Sequence, residues 1–131
     1  MSKKITKGQA AKELKKGAKR VTEDDVGKVL TKQKDIEDKF KTGGPLGGFI
    51  EDLKLLFSVV KDYYKGRYRK IPWFSIGSIV FALLYVLNPV DLIPDFIPVI
   101  GYVDDALVVA ACLALVEQDL EDYKKWKKIN G

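Results

Sequence analysis

Residues 73–105 read WFSIGSIVFALLYVLNPVDLIPDFIPVIGYVDD, and the two halves of this stretch obey different rules. From Trp73 to Leu87 there is no charged residue. Such a run is too long for an ordinary strand, so it predicts a helix over 73–87. A helix apolar on every side belongs in the middle of a bundle or in lipid. The second half cannot continue it, because Pro89, Pro94 and Pro98 remove amide donors and forbid one unbroken helix. Asn88 as a cap, Pro89 as the first helical residue and Asp91 soon after predict a single turn near 89–93. Asp95 ahead of Pro98 repeats that punctuation. Asp104 and Asp105 then open a last helix, predicted over 103–128. Lys124, Lys125, Lys127 and Lys128 crowd its final turns, as the helix dipole favours. The stretch therefore predicts a core helical hairpin joined by a proline- and aspartate-rich loop.

Upstream, Ile50, Leu53, Leu56, Phe57, Val60, Tyr63, Tyr64 and Tyr68 recur at helical spacing and predict an amphipathic helix over 49–70. Its polar side is assigned Glu51, Lys54, Lys61, Asp62 and Lys65, and Gly66 weakens its last turn. The glycine-rich segment 43–48 reads as a linker. Before it, Thr22 followed by Glu23, Asp24 and Asp25 marks a helix start, and Val26, Val29, Leu30, Ile36 and Phe40 give a narrow apolar stripe over 23–41. Residues 8–20 have only a thin stripe of alanines with Leu14, so a marginal helix is expected there. The fold class is all-α with four or five helices. It divides into a basic N-terminal helical region (1–42), a linker (43–48) and a hairpin domain (49–131). The expected core includes Leu53, Phe57, Val60, Ile76, Val80, Leu83, Leu84, Leu107, Ala110, Ala111 and Leu113.

The net charge of +5 is unevenly spread over the 131 residues. Residues 1–20 hold eight Lys or Arg and one acid, and residues 61–70 hold five and one. From 71 to 118 there is no Lys or Arg at all. This polarity suits an anionic partner, a membrane surface before nucleic acid, since no nucleic-acid-binding motif accompanies it. Lys65, Arg67, Arg69, Lys70 and Trp73 are the residues expected to face such a surface, as basic and aromatic side chains bordering an apolar run do at lipid interfaces. Two full spans are disfavoured. The return leg 106–116 has only eleven apolar residues, and lengthening it would bring Asp104 and Asp105 into the bilayer.

The string P-x-D-L-I-P-D-x-I-P from Pro89 to Pro98, followed by G-x-x-D-D-A from Gly101 to Ala106, is long and unusual in composition. With Tyr85 and Asn88, it resembles the YkvA-like family, the domain of unknown function 1232. The resemblance runs from about residue 64 to 116. It implies a small bacterial protein associated with membranes, and it brings no activity, ligand or catalytic residue with it.

The loop aspartates admit a sharper reading. Asp91, Asp95, Asp104 and Asp105 supply the oxygen ligands that a divalent cation takes, or a carboxylate pair for acid–base chemistry. Capping of short helices explains the same four positions, and we place it first. The chain has no His and no Walker A, G-x-S-x-G or H-E-x-x-H string. The single Cys112 lies in an apolar run, which suggests core packing. No cofactor and no small-molecule substrate are indicated, and no enzymatic activity is expected. The basic N-terminus lacks an apolar stretch behind it, so it does not read as a secretory signal. The expectation is a non-enzymatic helical module, in the cytoplasm or on the cytoplasmic face of a membrane, attached to the surface or to a partner located there. The alternative is a divalent-cation or acid–base site built from the loop aspartates.

Overall fold

The computed structural model describes residues 7–41, 45–87 and 105–130. Among the described residues there are seven α-helices and no strand: α1 (Lys7–Ala18), α2 (Glu23–Thr31), α3 (Gln33–Lys41), α4 (Ile50–Tyr64), α5 (Trp73–Leu87), α6 (Asp105–Leu115) and α7 (Glu117–Asn130). A short 3₁₀ turn, Pro45–Phe49, leads into α4. The predicted turn near 89–93 lies outside the described residues.

The helix count exceeds the expected four or five because two predicted helices are each interrupted at one residue. At Lys32 the amide is shared between the carbonyls of Lys28 and Val29, at 3.1 and 3.2 Å, while Ile36 still bonds back to Lys32. The apolar stripe skips from Leu30 to Ile36 at this point, and the break turns Ile36 and Phe40 fully into the core. The other interruption is at Val116, where the bonds Val116 N–H to Cys112 O and Leu120 N–H to Val116 O carry the chain from α6 into α7.

Local chemistry explains the ends. Thr22 caps α2: its hydroxyl accepts the Asp25 amide at 3.3 Å, and the Asp25 carboxylate accepts the Thr22 amide at 2.9 Å. This reciprocal pair satisfies amides that the first turn leaves without partners. The helix predicted over 49–70 stops at Tyr64. Gly66 takes a left-handed φ of 78°, and its amide bonds to Tyr63 O while the Arg67 amide bonds to Asp62 O at 2.8 Å. That is the Schellman arrangement, which glycine adopts without the steric cost of a Cβ. Gly66 therefore ends the helix where the sequence reading had it merely weakening a longer one.

Helix α5 has no polar face because it needs none. Every residue from Ser75 to Val86 is buried, with the Ser78 hydroxyl satisfied by the Phe74 carbonyl at 2.9 Å. Helix α1 packs across both α5 and α6. At Gly77 an added Cβ would come 2.8 Å from the carbonyl oxygen of Ala18, so the two backbones approach more closely than any larger residue would permit. Packing thus supplies what the alanine-rich α1 lacks in burial per residue, and Leu14 and Ala18 are both buried.

One apolar core includes Leu14 of α1, Phe40 of α3, Phe57 and Val60 of α4, most of α5, and Val108 to Tyr123 in part. Leu53, Phe57, Val60, Ile76, Val80, Leu83, Leu84 and Ala111 are buried as expected. Leu107, Ala110 and Leu113 are only half-buried; α6 instead turns Ala106, Val108, Val109, Ala111 and Cys112 inward. No helix among the described residues is long and apolar enough to cross a membrane.

Candidate functional site

The polar centre of the described structure is Asp62, in the last turn of α4. Leu55, Ser58, Val59 and Asp62 form a second inward-facing row on this helix, beside the row of Leu53, Leu56, Phe57 and Val60. The Asp62 side chain is 2% exposed. Its Oδ1 accepts Nε and Nη2 of Arg67, each at 2.8 Å. Its Oδ2 accepts the Tyr123 hydroxyl at 2.5 Å and Lys127 Nζ at 3.2 Å. The Ser58 hydroxyl completes the chain, 2.5 Å from that of Tyr123. Among the described residues no buried side-chain nitrogen or oxygen lacks a partner.

These contacts decide the charge state. Burial pushes the Asp62 carboxyl up, but hydrogen bonds from Tyr123, Lys127 and Arg67, with the charge of Lys127, outweigh it and hold its pKa below the ordinary carboxylate value. Burial, reinforced by the bond to Asp62, pushes the Tyr123 hydroxyl up to about 12. A carboxylate held ionised by such donors has little basicity left, so the cluster acts as a fixed clasp between α4 and α7 rather than as a general base. An open cleft of about 290 Å³ lies over it, with Gln33, Glu37 and Lys61 on its walls.

A second surface adjoins it. Arg69 lies with its guanidinium carbon 4.4 Å from the centre of the Tyr63 ring, and Tyr63 sits 6.1 Å from Trp73. Trp73 and Phe74, opening α5, are 36% and 38% exposed. Tyr64 is also exposed, its hydroxyl lying near Gly27 of α2. Lys65 and Lys70 are exposed in the same connecting segment. Of the residues expected to face an anionic surface, Lys65, Arg69 and Lys70 thus share the segment that joins α4 to α5, and Trp73 opens α5 directly after it. Arg67 lies there too, but its guanidinium is directed at Asp62.

The loop residues Asn88, Pro89, Asp91, Pro94, Asp95, Pro98, Gly101 and Asp104 lie outside the described residues. So does the side chain of Asp105, whose backbone begins α6. Among the described residues no group of His, Cys, Asp and Glu is placed to hold a metal ion. Cys112 is fully buried, and its thiol is pushed up to about 12 by desolvation, which leaves it a packing residue.

The sequence reading missed Asp62, Ser58, Tyr123 and Lys127 as a unit. A local signal did exist. Ser58 and Asp62, four apart and flanking Val59, continue the inward row from Leu55, and Gly66 places a helix end immediately afterwards.

The stretch that contains α5 and most of α6 carries the resemblance to known proteins. A family described as "Protein of unknown function (DUF1232)" matches residues 75–111. The uncharacterized membrane protein YkvA of Bacillus subtilis (strain 168) is 31% identical over 78 residues, covering 60% of this chain and 74% of that protein. The chain belongs to the YkvA-like DUF1232 family. No solved structure matches it. The DUF1232 segment begins at Ser75, in the first turn of α5, and ends inside α6. The Asp62 clasp lies outside that segment on both sides, formed by α4 before it and α7 after it. The DUF1232 segment has its own tie to α7, since the Ser75 hydroxyl donates to the Asp119 carboxylate.

Proposed function

We propose that this protein is a non-enzymatic helical module that attaches to the surface of an anionic membrane through the segment joining α4 to α5. The observation that carries the reading is the exposure of Trp73 and Phe74 directly after Lys65, Arg69 and Lys70. Aromatic rings prefer the headgroup level of a bilayer, and cations beside them are drawn to anionic lipid. Three cations near such a surface contribute about 1 kcal/mol each, enough for reversible but not permanent attachment. The apolar sides of α5 meet other helices of this chain, which supports contact from the water side. The YkvA relative is named a membrane protein, which is in keeping with this reading.

Sedimentation with phosphatidylglycerol vesicles tests it. Binding at low salt, weakened by added salt through screening, is the expected result. Replacing Lys65, Arg69 and Lys70 by Gln should weaken it about tenfold or more. Trp73→Ser with Phe74→Ser should weaken it at every salt concentration. Absence of binding by the parent protein at low salt, or unchanged binding by both variants, overturns the proposal.

A further inference from the structure

Between α7 and the segment before α5 there is a cleft of about 420 Å³ that the clasp does not use. Its floor is aromatic: the rings of Tyr68 and Trp126 lie 5.0 Å apart, with Tyr123 behind them at 5.1 and 5.9 Å. Asp119, Asp122, Lys70 and Lys125 stand around that floor. None of these four takes part in an ion pair among the described residues. Asp119 receives the Ser75 hydroxyl on Oδ2 and Asp122 receives Gln118 Nε2 on Oδ1, so each carboxylate has its other oxygen uncommitted among the described residues.

Two carboxylates and two ammonium groups thus share one concavity without neutralising each other. An anion alone would meet the aspartates, and a cation alone would meet the lysines. A ligand carrying both charges meets neither conflict. We propose that this cleft binds the zwitterionic phosphoethanolamine head of a membrane lipid. Its ammonium group lies against the partly exposed Trp126 ring between Asp119 and Asp122, and its phosphate lies toward Lys70 and Lys125. Organic cations favour the face of an aromatic ring, best of all that of Trp, and lysine serves phosphate as a point charge. The cleft volume falls in the range of small-ligand sites. The Tyr68 hydroxyl reports the same field. Its pKa is raised by burial, then by Asp122 and Asp119.

The choice of a lipid rests on the membrane reading above and on position. The Ser75–Asp119 bond fixes the cleft wall to the first turn of α5, two residues after exposed Trp73. At the other end of the cleft, Ile129 is 83% exposed.

The chain has two tryptophans, so Trp73→Phe leaves Trp126 as its only indole fluorophore. Titrating that variant with soluble glycerophosphoethanolamine should give a saturable change in emission. Glycerol 3-phosphate and ethanolamine, the two halves of the charge pattern, should each bind about tenfold more weakly or worse. Asp122→Asn and Lys125→Gln should each weaken binding of the whole zwitterion. No response up to about 100 mM, or an equal response to glycerol 3-phosphate alone, overturns the cleft assignment. A second measurement uses the parent protein on phosphatidylglycerol vesicles diluted with either phosphatidylethanolamine or an uncharged glycolipid. Stronger binding with phosphatidylethanolamine, lost in Asp122→Asn, is expected. A soluble response without that preference assigns the cleft to a free phosphodiester and overturns the lipid source. Vesicle binding without any response to the soluble zwitterion removes this inference alone. Zwitterion binding without vesicle attachment removes the membrane reading and the lipid source together, leaving the cleft chemistry standing.

Discussion

The hydroxyl of Tyr123 donates to Oδ2 of Asp62 at 2.5 Å, joining α7 to the last turn of α4 across 61 positions of sequence. Arg67 and Lys127 complete the charge balance from outside, 52% and 45% exposed, while the carboxylate they hold is buried.

Removing that carboxylate should therefore cost less than breaking a fully buried ion pair, because both cations can return to water. Asp62→Asn is expected to destabilise the protein by about 1–3 kcal/mol, and Tyr123→Phe by about 1 kcal/mol. Urea denaturation of the two single variants and the double variant measures both numbers and their coupling. Additive effects, with no coupling energy, would show that the contact contributes nothing as a pair.

The direction of the Asp62 shift sets a pH window. Its folded pKa lies below the unfolded value, so the contribution is fully present above about pH 4 and is lost as pH falls through the folded value. The stability gap between the parent and Asp62→Asn should be constant from neutral pH to about pH 4, then narrow on further acidification. Tyr123 runs the opposite way. Its folded pKa is raised to about 12, so its contribution is complete below about pH 10 and fades as pH rises through the folded value. In an alkaline absorbance titration, Tyr123 and Tyr68 should ionise above the ordinary tyrosine range.

Gly66 is predicted to resist substitution although it is exposed and open space surrounds it. At φ 78° any L side chain is strained, so Gly66→Ala should cost about 1–2 kcal/mol. Gly66→Asn should cost less, since asparagine tolerates this region better. Equal stability of the parent and the Ala variant in thermal unfolding would contradict the left-handed cap.

At Gly77 two effects oppose each other. Alanine favours a helix over glycine by about 1 kcal/mol, but its Cβ would lie 2.8 Å from the Ala18 carbonyl oxygen, a backbone atom that cannot rotate aside. The clash should win, giving a net loss of about 1–2 kcal/mol for Gly77→Ala. Leu84→Ala, at a buried position on the same helix, should cost about 2–5 kcal/mol. A loss of only a few tenths in urea would mean that this side chain does not sit among its neighbours in the core.

Particular residues show what the sequence could and could not reveal. Thr22 as a cap, the charge-free run from Trp73 as a helix, and Leu84 and Cys112 as core were all legible, because each follows from local chemistry or from a run of one polarity. Leu107, Ala110 and Leu113 were assigned to the core although each is only partly buried. A helix apolar all round, like α6, has no polar face to show which side is inside. Asp62 was placed on the polar face by its charge, although it continues the inward row of Leu55, Ser58 and Val59; what no local pattern reveals is its partners, Tyr123 and Lys127, on a distant helix. The small residues of α1 looked like weakness when counted as buried area, whereas their smallness is what admits α1 onto α5.

The Asp62 clasp also bears on the timing of folding. Its two halves stand 61 to 65 positions apart, with the whole DUF1232 segment between them. Contacts this distant need a large loop to be closed first, so they form after the local helices and their nearest packing. Asp62→Asn should then leave the refolding rate almost unchanged and accelerate unfolding, with nearly all of its destabilisation on the unfolding arm of a chevron plot. A slowed refolding arm would place the clasp in the nucleus instead. If the unfolding arm alone moves, the hydroxyl-to-carboxylate bond governs the lifetime of the folded chain, and with it the exposure of the apolar helices α5 and α6 to proteases and to aggregation.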